Sequence, residues 1–351
     1  METPRDALLA GSAGMLPPDA KELNNRGALL HLDGNLAVAR AAYEQALALD
    51  PDNATALNNL GFLLAQAGEL GQAIDLYERA IALDPARSVA YVNLGNALAL
   101  AGDADGAYEA LCRAVEIDPT NGLAWENLGR LLMAAGELGA SEQAFRTALA
   151  LQPAQASLVT ALGIVVAAQE RSGEAVELLQ HALALDPEDA HAWAQLGIVL
   201  FSRQDLGSAE DALSRALELA PEDTDARHHL ALTLLARGRH DEAAAALVRV
   251  LEIDPANAPA RVDLAVLALS DGQVDVTLDQ LALVLEQGPA SERARFYHAV
   301  ALDQAGEREQ AIDELEALAG EPDGKYPVEA RRYLEMIGHP AEDGTDEDHL
   351  S

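Results

Sequence analysis

Proline recurs at a fixed interval of 34 residues along most of this chain. The series runs through Pro51, Pro85, Pro119, Pro153, Pro187, Pro221 and Pro255, and Pro289 closes it. A constant interval of this length is typical of one short supersecondary unit that is stacked many times. Because each stacked unit contacts mainly its neighbours, the 351 residues are not expected to divide into ordinary domains. We expect the function to depend on the surface that the units build.

Each unit reads as two helices joined by a short turn. In residues 54–87 the first helical period runs through Leu57, Leu60, Gly61 and Leu64, and Gly68 breaks it. The second period runs through Ala73, Ile74, Tyr77, Ala80 and Ile81. Asp84-Pro85 ends it, because proline disfavours helical geometry in the preceding residue. The unit is therefore a helical hairpin, and Ala and Leu supply most of its apolar surface.

Three sets of residues recur in register with this hairpin. A small residue in the first helix predicts close helix packing: Gly27, Gly61, Gly95, Gly129, Gly163 and Gly197, then Ala231, Ala265 and Ala299. Large residues are expected to fill the complementary places: Tyr43, Tyr77, Trp125, Phe145 and Trp193. A polar residue before the first helix predicts a side-chain cap: Asn53, Asn121, Asp189, Asp223, Asn257 and Ser291.

These residues together resemble the tetratricopeptide repeat (TPR). Leu57, Leu60, Gly61, Leu64, Ala73, Tyr77, Ala80 and Pro85 match its pattern within one unit. The resemblance implies an all-α fold, a right-handed superhelical solenoid of helix-turn-helix repeats whose first helices line a concave groove. It also implies a non-enzymatic scaffold that binds an extended polypeptide there. Glu170 and Gln204 replace the turn glycine and are expected to loosen their turns, and Pro322 falls one residue early.

The chain is expected to divide into four segments. Residues 1–19 read as mostly flexible, and 20–325 as nine repeats of about 34 residues. Residues 326–338 read as a capping helix whose polar face closes the stack. Residues 339–351 read as a disordered acidic tail, because they are short and have little apolar surface to bury.

The net charge of −35 constrains the class of partner. A field this negative repels nucleic acid and anionic lipid, so a protein or peptide is expected instead. The charge favours a basic partner, although solubility or a high-salt habitat explains it equally well. No signal-like or membrane-spanning stretch is found, which favours the cytoplasm. The acidic residues concentrate in second helices and turns, and Cys112, the single cysteine, excludes an intramolecular disulfide.

A row of asparagines occupies one register of the first helices. Its members are Asn25, Asn59, Asn93 and Asn127, and Asn58 and Asn96 lie nearby. A carboxamide can donate to a peptide C=O and accept from a peptide N–H, so such a row can hold an extended backbone. The arrangement is similar to the asparagine ladder of O-linked N-acetylglucosamine transferases. It is equally explained by a family preference for asparagine at this place without any bound peptide.

The last three repeats differ from the first four. Arg227, Arg261 and Arg295 replace the large residues of the register that begins with Leu23. Either they form a basic strip that pairs with a partner's carboxylates, or their aliphatic stems cover the contact between helices while their charged heads reach water. In both cases the two ends of the groove differ, which favours two partner zones.

No catalytic motif, cofactor or metal site is predicted. His191, His228, His229 and Asp225 come near one another in the repeat order, but their spacing matches no zinc motif. Two alternatives to the peptide-binding scaffold stay open. One is a self-associating component of a larger machine, such as a secretion or pilus apparatus. The other is a substrate-recruiting partner of a separately encoded enzyme, such as a glycosyltransferase.

Overall fold

The chain folds into paired α-helices with short turns between them. The computed structural model describes residues 18–286, 291–321 and 324–339, which contain nineteen helices and no strand. The first ten are α1 Ala20–Leu32, α2 Leu36–Leu49, α3 Ala54–Gln66, α4 Leu70–Leu83, α5 Ser88–Leu100, α6 Ala104–Ile117, α7 Gly122–Ala134, α8 Leu138–Leu151, α9 Ala156–Ala168 and α10 Ser172–Leu185. The remainder are α11 Ala190–Ser202, α12 Leu206–Leu219, α13 Thr224–Ala236, α14 His240–Ile253, α15 Ala258–Ser270, α16 Val274–Glu286, α17 Glu292–Ala305, α18 Arg308–Ala319 and α19 Lys325–Met336.

The helices belong to two compact units. Unit 1 is Met1–Pro187 and contains α1–α10, whereas unit 2 is Glu188–Ser351 and contains α11–α19. In both units the odd-numbered helix of a hairpin packs on the even-numbered helix that follows it. The single helix α19 lies where a capping helix was expected, and it packs on α17 and α18. Most of the predicted flexible N-terminus and acidic tail, together with Pro289 and Pro322, lies outside the described residues.

The first helices begin as the sequence predicts. All six expected caps accept a hydrogen bond from the backbone N–H three residues on: Asn53, Asn121, Asp189, Asp223, Asn257 and Ser291. A seventh cap, Asp19, forms a reciprocal capping box with Glu22 at the start of α1. Each such bond satisfies one of the free N–H groups of a helix start and fixes where the helix begins.

The small residues of the first helices permit close packing within each hairpin. A Cβ added at Gly27 would lie 2.6 Å from a ring carbon of Tyr43, and one at Gly61 would lie 2.8 Å from Tyr77. Gly197 is equally tight, at 2.5 Å from Leu213. The facing residue is always sixteen positions further on and is buried. Trp125 and Trp193, expected among these large partners, lie instead on first helices and are half-buried.

The turn inside each hairpin has one conformation throughout. Glycine adopts positive φ at Gly34, Gly68, Gly102, Gly136, Gly238, Gly272 and Gly306. Glu170 and Gln204 adopt it too, each with φ of 63°. The hydrogen bond that closes the turn is present in these two repeats, from Arg171 N to Val166 O and from Asp205 N to Leu200 O. The expected loosening is therefore wrong, because the turn-closing hydrogen bond is kept while the backbone of both residues adopts the left-handed region.

Glycine at these two turns is expected to stabilise the protein. A non-glycine residue in the left-handed region costs about 1–3 kcal/mol, so Glu170→Gly and Gln204→Gly should each raise the free energy of unfolding by about 1 kcal/mol. Guanidinium denaturation followed by circular dichroism measures the change. Gly136→Ala, at the same turn position one repeat earlier, should lower stability. Equal or lower stability of both glycine variants would contradict the assignment of strain.

Two glycines of one repeat should respond to alanine in opposite directions. Gly61→Ala places a methyl group against Tyr77 and should lower the free energy of unfolding by about 1–3 kcal/mol. Gly71, in α4, has no heavy atom within 4 Å of the same added carbon. Gly71→Ala should therefore raise stability by up to about 1 kcal/mol through helix propensity. Thermal denaturation of the two variants compares them, and a stabilised Gly61→Ala variant would show that the contact with Tyr77 is unimportant.

Candidate functional site

The first helices of successive repeats form a continuous surface within each unit. In unit 1, α1 contacts α3, α3 contacts α5, α5 contacts α7 and α7 contacts α9. In unit 2, α11 contacts α13, α15 contacts α17 and α17 contacts α19. Among the described residues, the backbones of successive second helices do not approach one another as closely, although side chains such as Arg146 and Glu174 meet. We call the surface of α1, α3, α5, α7 and α9 the first-helix face of unit 1, and it carries the predicted asparagine row.

Four asparagine side chains of this face are hydrogen-bonded into a relay. Asn93 Nδ2 donates to Asn58 Oδ1 at 2.9 Å, and Asn58 Nδ2 donates to Asn59 Oδ1 at 3.5 Å. Asn59 Nδ2 in turn donates to Asn24 Oδ1 at 3.0 Å. Asn24 and Asn58 are buried. The relay therefore uses one amide proton of both Asn59 and Asn93 within the protein and fixes the orientation of their side chains.

Asn127 belongs to the same row but has no such partner. The two inter-repeat bonds join residues 35 apart, so the place facing Asn127 is residue 92. That residue is Val92, which is buried and has no polar atom. Asn127 Nδ2 is consequently buried without a hydrogen-bond partner in the part of the chain that the structure describes. An unsatisfied buried amide costs about 1–3 kcal/mol, so Asn127 gains free energy if its side chain turns toward a ligand acceptor.

The two remaining predicted asparagines, Asn25 and Asn96, lie outside the relay. Asn25 is exposed on α1, at the edge of the row. Asn96 is half-buried on α5, one helical turn beyond Asn93. The structure thus places all six predicted asparagines on the first helices of the first four repeats, with Asn58 inside the relay.

The three arginines of unit 2 bind groups of the chain itself. Arg227 Nη2 donates to the carbonyl oxygen of Pro221 at 2.5 Å, and Arg261 Nη2 donates to that of Pro255 at 2.6 Å. Trp125 Nε1 makes the same bond to Pro119, at 2.9 Å. Arg295 differs, because it pairs with Glu321 at 2.7 Å. All three guanidinium groups are thus held by bonds within the chain.

A buried carboxylate joins three repeats of unit 2. Asp263 Oδ2 lies 2.6 Å from His228 Nε2, again 35 residues away, and Asp263 Oδ1 lies 2.5 Å from Arg293 Nη2. Burial raises the pKa of Asp263, but the hydrogen bond from His228 and the charge of Arg293 lower it by more. The pKa of this carboxyl therefore lies below its ordinary value. His228 and Asp263 are 35 residues apart in the sequence, and this offset between facing residues, which only the structure shows, is what reveals that they pair.

The histidines considered for zinc are engaged otherwise or lie apart. His228 binds Asp263, His229 Nδ1 lies 2.9 Å from the backbone oxygen of Asp225, and His191 is exposed. The described residues contain no group of three or more His, Cys, Asp or Glu side chains arranged to hold a metal ion.

Most of the acidic side chains that form salt bridges among the described residues lie on second helices. Glu142 on α8 is bound by Arg146 and Arg171, and both arginines also contact Glu174. Burial raises the pKa of Glu142, but the hydrogen bonds from Arg146 and Arg171 outweigh it and bring the pKa to about 2. The sequence predicted that acidic residues concentrate in second helices and turns, but it did not predict this ion-pair network between the fourth and fifth repeats.

Three family models match successive parts of the chain. Two described as tetratricopeptide repeat match residues 33–88 and 98–163, and one described as the cytochrome c-type biogenesis protein H TPR domain matches residues 176–295. The chain is a tetratricopeptide repeat protein. Its repeats are of the kind that generally serve as non-enzymatic protein-interaction scaffolds.

Solved structures show the same fold at low sequence identity. A chain of the APC/C hetero-tetramer Cut9–Hcn1 is 20% identical with a TM-score of 0.62, covering 85% of this TPR protein and 58% of that chain. PilF of Pseudomonas aeruginosa is 18% identical with a TM-score of 0.54, covering 64% of this chain and 97% of that chain. A search of curated proteins returned no match. None of the described helices has the length and hydrophobicity needed to cross a membrane.

Removing the buried carboxylate should weaken unit 2 in a pH-dependent way. The pKa of Asp263 is lower in the folded than in the unfolded state, so its contribution to stability is present above pH of about 4 and is lost as pH falls through the folded-state pKa. Asp263→Asn should lower the free energy of unfolding by about 1–3 kcal/mol at neutral pH. The difference from wild type should shrink in acid, as measured by denaturation across pH.

The exposed carboxyl of Asp271 offers a control for this variant. It lies in the turn after α15 and has no resolved partner among the described residues. Asp271→Asn should leave stability nearly unchanged at every pH. Curves for Asp263→Asn and wild type that run parallel down to pH of about 3 would contradict the role given to Asp263.

Proposed function

We propose that this TPR protein is a non-enzymatic scaffold whose unit 1 binds an extended polypeptide along its first-helix face. Asn127 supplies the principal hydrogen-bond donor. The single observation that supports this function most directly is the buried, unpaired Nδ2 of that residue. A peptide carbonyl that accepts from Asn127 would remove the cost of the unsatisfied group, which is a gain that exists only in the complex.

The relay supports the same proposal by preorganising the neighbouring amides. Asn59 and Asn93 each keep one further amide proton, because a carboxamide nitrogen carries two. Their side chains are already fixed by Asn24 and Asn58, so little side-chain entropy is lost when a ligand binds. The row thus combines two oriented amides with one unsatisfied amide at its end. A polypeptide backbone, with a carbonyl and an N–H in every residue, is the ligand that best matches it.

Unit 2 gives less support to a second partner zone. Arg227 and Arg261 already bind proline carbonyls, and Arg295 pairs with Glu321. A partner carboxylate would have to displace these bonds. We therefore assign the peptide to unit 1.

Self-association is a second candidate, because exposed leucines recur on the second helices. Leu49, Leu83, Leu151 and Leu185 share one register at the ends of α2, α4, α8 and α10, and Leu49 is 61% exposed. Such a row can pack against a second copy. Light scattering over a concentration series tests it, since a constant monomeric mass would oppose it. Recruitment of substrates for a separate enzyme is compatible with either mode of binding.

Two substitutions test peptide binding in different ways, one by removing the Asn127 donor and one by giving it a partner within the protein. Asn127→Ala removes the donor, whereas Val92→Asn supplies an internal acceptor at the place that Asn24 and Asn58 occupy in the first two repeats. Each should weaken a peptide selected from a random displayed library by about tenfold, equivalent to about 1.4 kcal/mol. Fluorescence anisotropy measures the affinity, and circular dichroism verifies the fold.

Gln195→Ala is the matched control, because Gln195 occupies the register of Asn127 in unit 2. It should leave the affinity unchanged. Wild-type affinity in both Asn127→Ala and Val92→Asn would show that the selected peptide does not use this donor, and the proposed function would be wrong.

A further inference from the structure

One stripe of mostly exposed or half-buried residues runs across the first-helix face of unit 1. On α5 the stripe consists of Val89, Asn93, Asn96 and Leu100, whose spacing of four, three and four places them on one side of the helix. The same four positions recur at steps of 34 residues on α1, α3, α7 and α9. We call these positions the unit-1 stripe, and the asparagine row runs through it.

The unit-1 stripe contains no acidic residue, although the chain has 58. Its only charged members are Lys21 at the N-terminal edge and Arg130 on α7. Arg130 is neutralised from within, because its guanidinium lies 3.0 Å from the carboxylate of the buried Glu126. Most of the acidic residues lie instead on the second helices and in the turns. A cationic segment would find no carboxylate to pair with along the stripe.

Large apolar side chains flank the amides of the stripe. Phe62, Val89 and Leu123 are 44%, 52% and 49% exposed, although they lie on helices whose other apolar residues are mostly buried or half-buried. Phe62 is one helical turn after Asn59, and Val89 and Leu123 are one turn before Asn93 and Asn127. Each amide of the middle repeats thus has an exposed apolar neighbour. A ligand that bonds the amides through its backbone would bring its side chains against these three residues.

We propose that the unit-1 stripe binds an extended, uncharged polypeptide segment with apolar side chains, and that it does not bind the basic segment that the net charge of the chain favours. This inference rests on the proposed function and adds the chemical class of the ligand. Hydrogen bonds to the amides supply backbone contacts, and Phe62, Val89 and Leu123 supply hydrophobic contacts. Because neither contribution is an ion pair, binding at the stripe is insensitive to salt.

The dimensions of the stripe set the length of the ligand. Neighbouring packed helices lie about 8–10 Å apart, so five first helices span roughly 40 Å. An extended chain rises about 3.3 Å per residue, so about twelve residues cover that distance.

Three capped peptides of this length test the inference on the full chain. In each, leucine or valine alternates with a second residue, which is glutamine in the neutral peptide, lysine in the basic one and glutamate in the acidic one. Anisotropy at about 50 mM and about 500 mM NaCl compares their affinities at weak and strong screening. The neutral peptide should bind most tightly at high salt and change less than about twofold between the two conditions.

Two variants locate the binding. Val89→Asp places a carboxylate in the stripe and should weaken the neutral peptide by at least about tenfold, since a charge would have to be desolvated without a partner. Val38→Asp is the control, because Val38 is 51% exposed, nearly as much as Val89, but lies on the second helix α2. It should leave the affinity unchanged.

Each other result overturns the inference in a recognisable way. If the basic peptide binds best at both salts and Asn127→Ala weakens it, the proposed function stands and the ligand class is wrong. If no peptide from this set or the library binds, both fail. If Val89→Asp changes the mass in light scattering without affecting the neutral peptide, a second copy covers the stripe. If it changes neither, the peptide binds elsewhere.

Discussion

The close approach of the two helices in each hairpin is the constraint on which the structure depends. It requires a residue without a side chain, or with only a methyl group, opposite a buried residue sixteen positions later. Where the facing residue is Tyr43 or Tyr77, the small residue is glycine; where it is Leu247, the small residue is Ala231. A constant distance between the two helices lets one hairpin stack on the next with the same geometry. The 34-residue period follows from this repeated contact.

A second regularity, the 35-residue offset between facing side chains of successive first helices, follows from that stacking. It pairs Asn24 with Asn59, Asn58 with Asn93 and His228 with Asp263. The same offset sets Val92 against Asn127 and leaves a donor without an acceptor. The side-chain hydrogen bonds between first helices therefore depend on two positions 35 residues apart. Comparing the residues of a single repeat position does not reveal them.

Local rules account for what could be predicted from the sequence. The helices, their caps and the small residues depend on neighbours within one repeat, and the six predicted caps are confirmed. Errors arose where packing between elements decides the outcome. Glu170 and Gln204 keep the glycine conformation because the hairpin around them is closed. Arg227 and Trp125 both donate to a proline carbonyl, but their side chains are so different that the sequence did not indicate this shared role. The amide relay was missed because it crosses repeats.

The distribution of charge has a consequence for how such a chain selects a partner. Long-range attraction depends on net charge, whereas affinity at short range depends on the groups that line the contact. Here the two point to different ligands, since the molecule is strongly acidic while the unit-1 stripe has no acidic residue, carries amides and is partly apolar. Basic molecules are drawn toward the second helices, where many carboxylates are already paired with arginine. A ligand without charge gains nothing from the field and is selected only by the stripe. In the proposed complex, the acidity outside the stripe therefore does not dictate what the stripe binds.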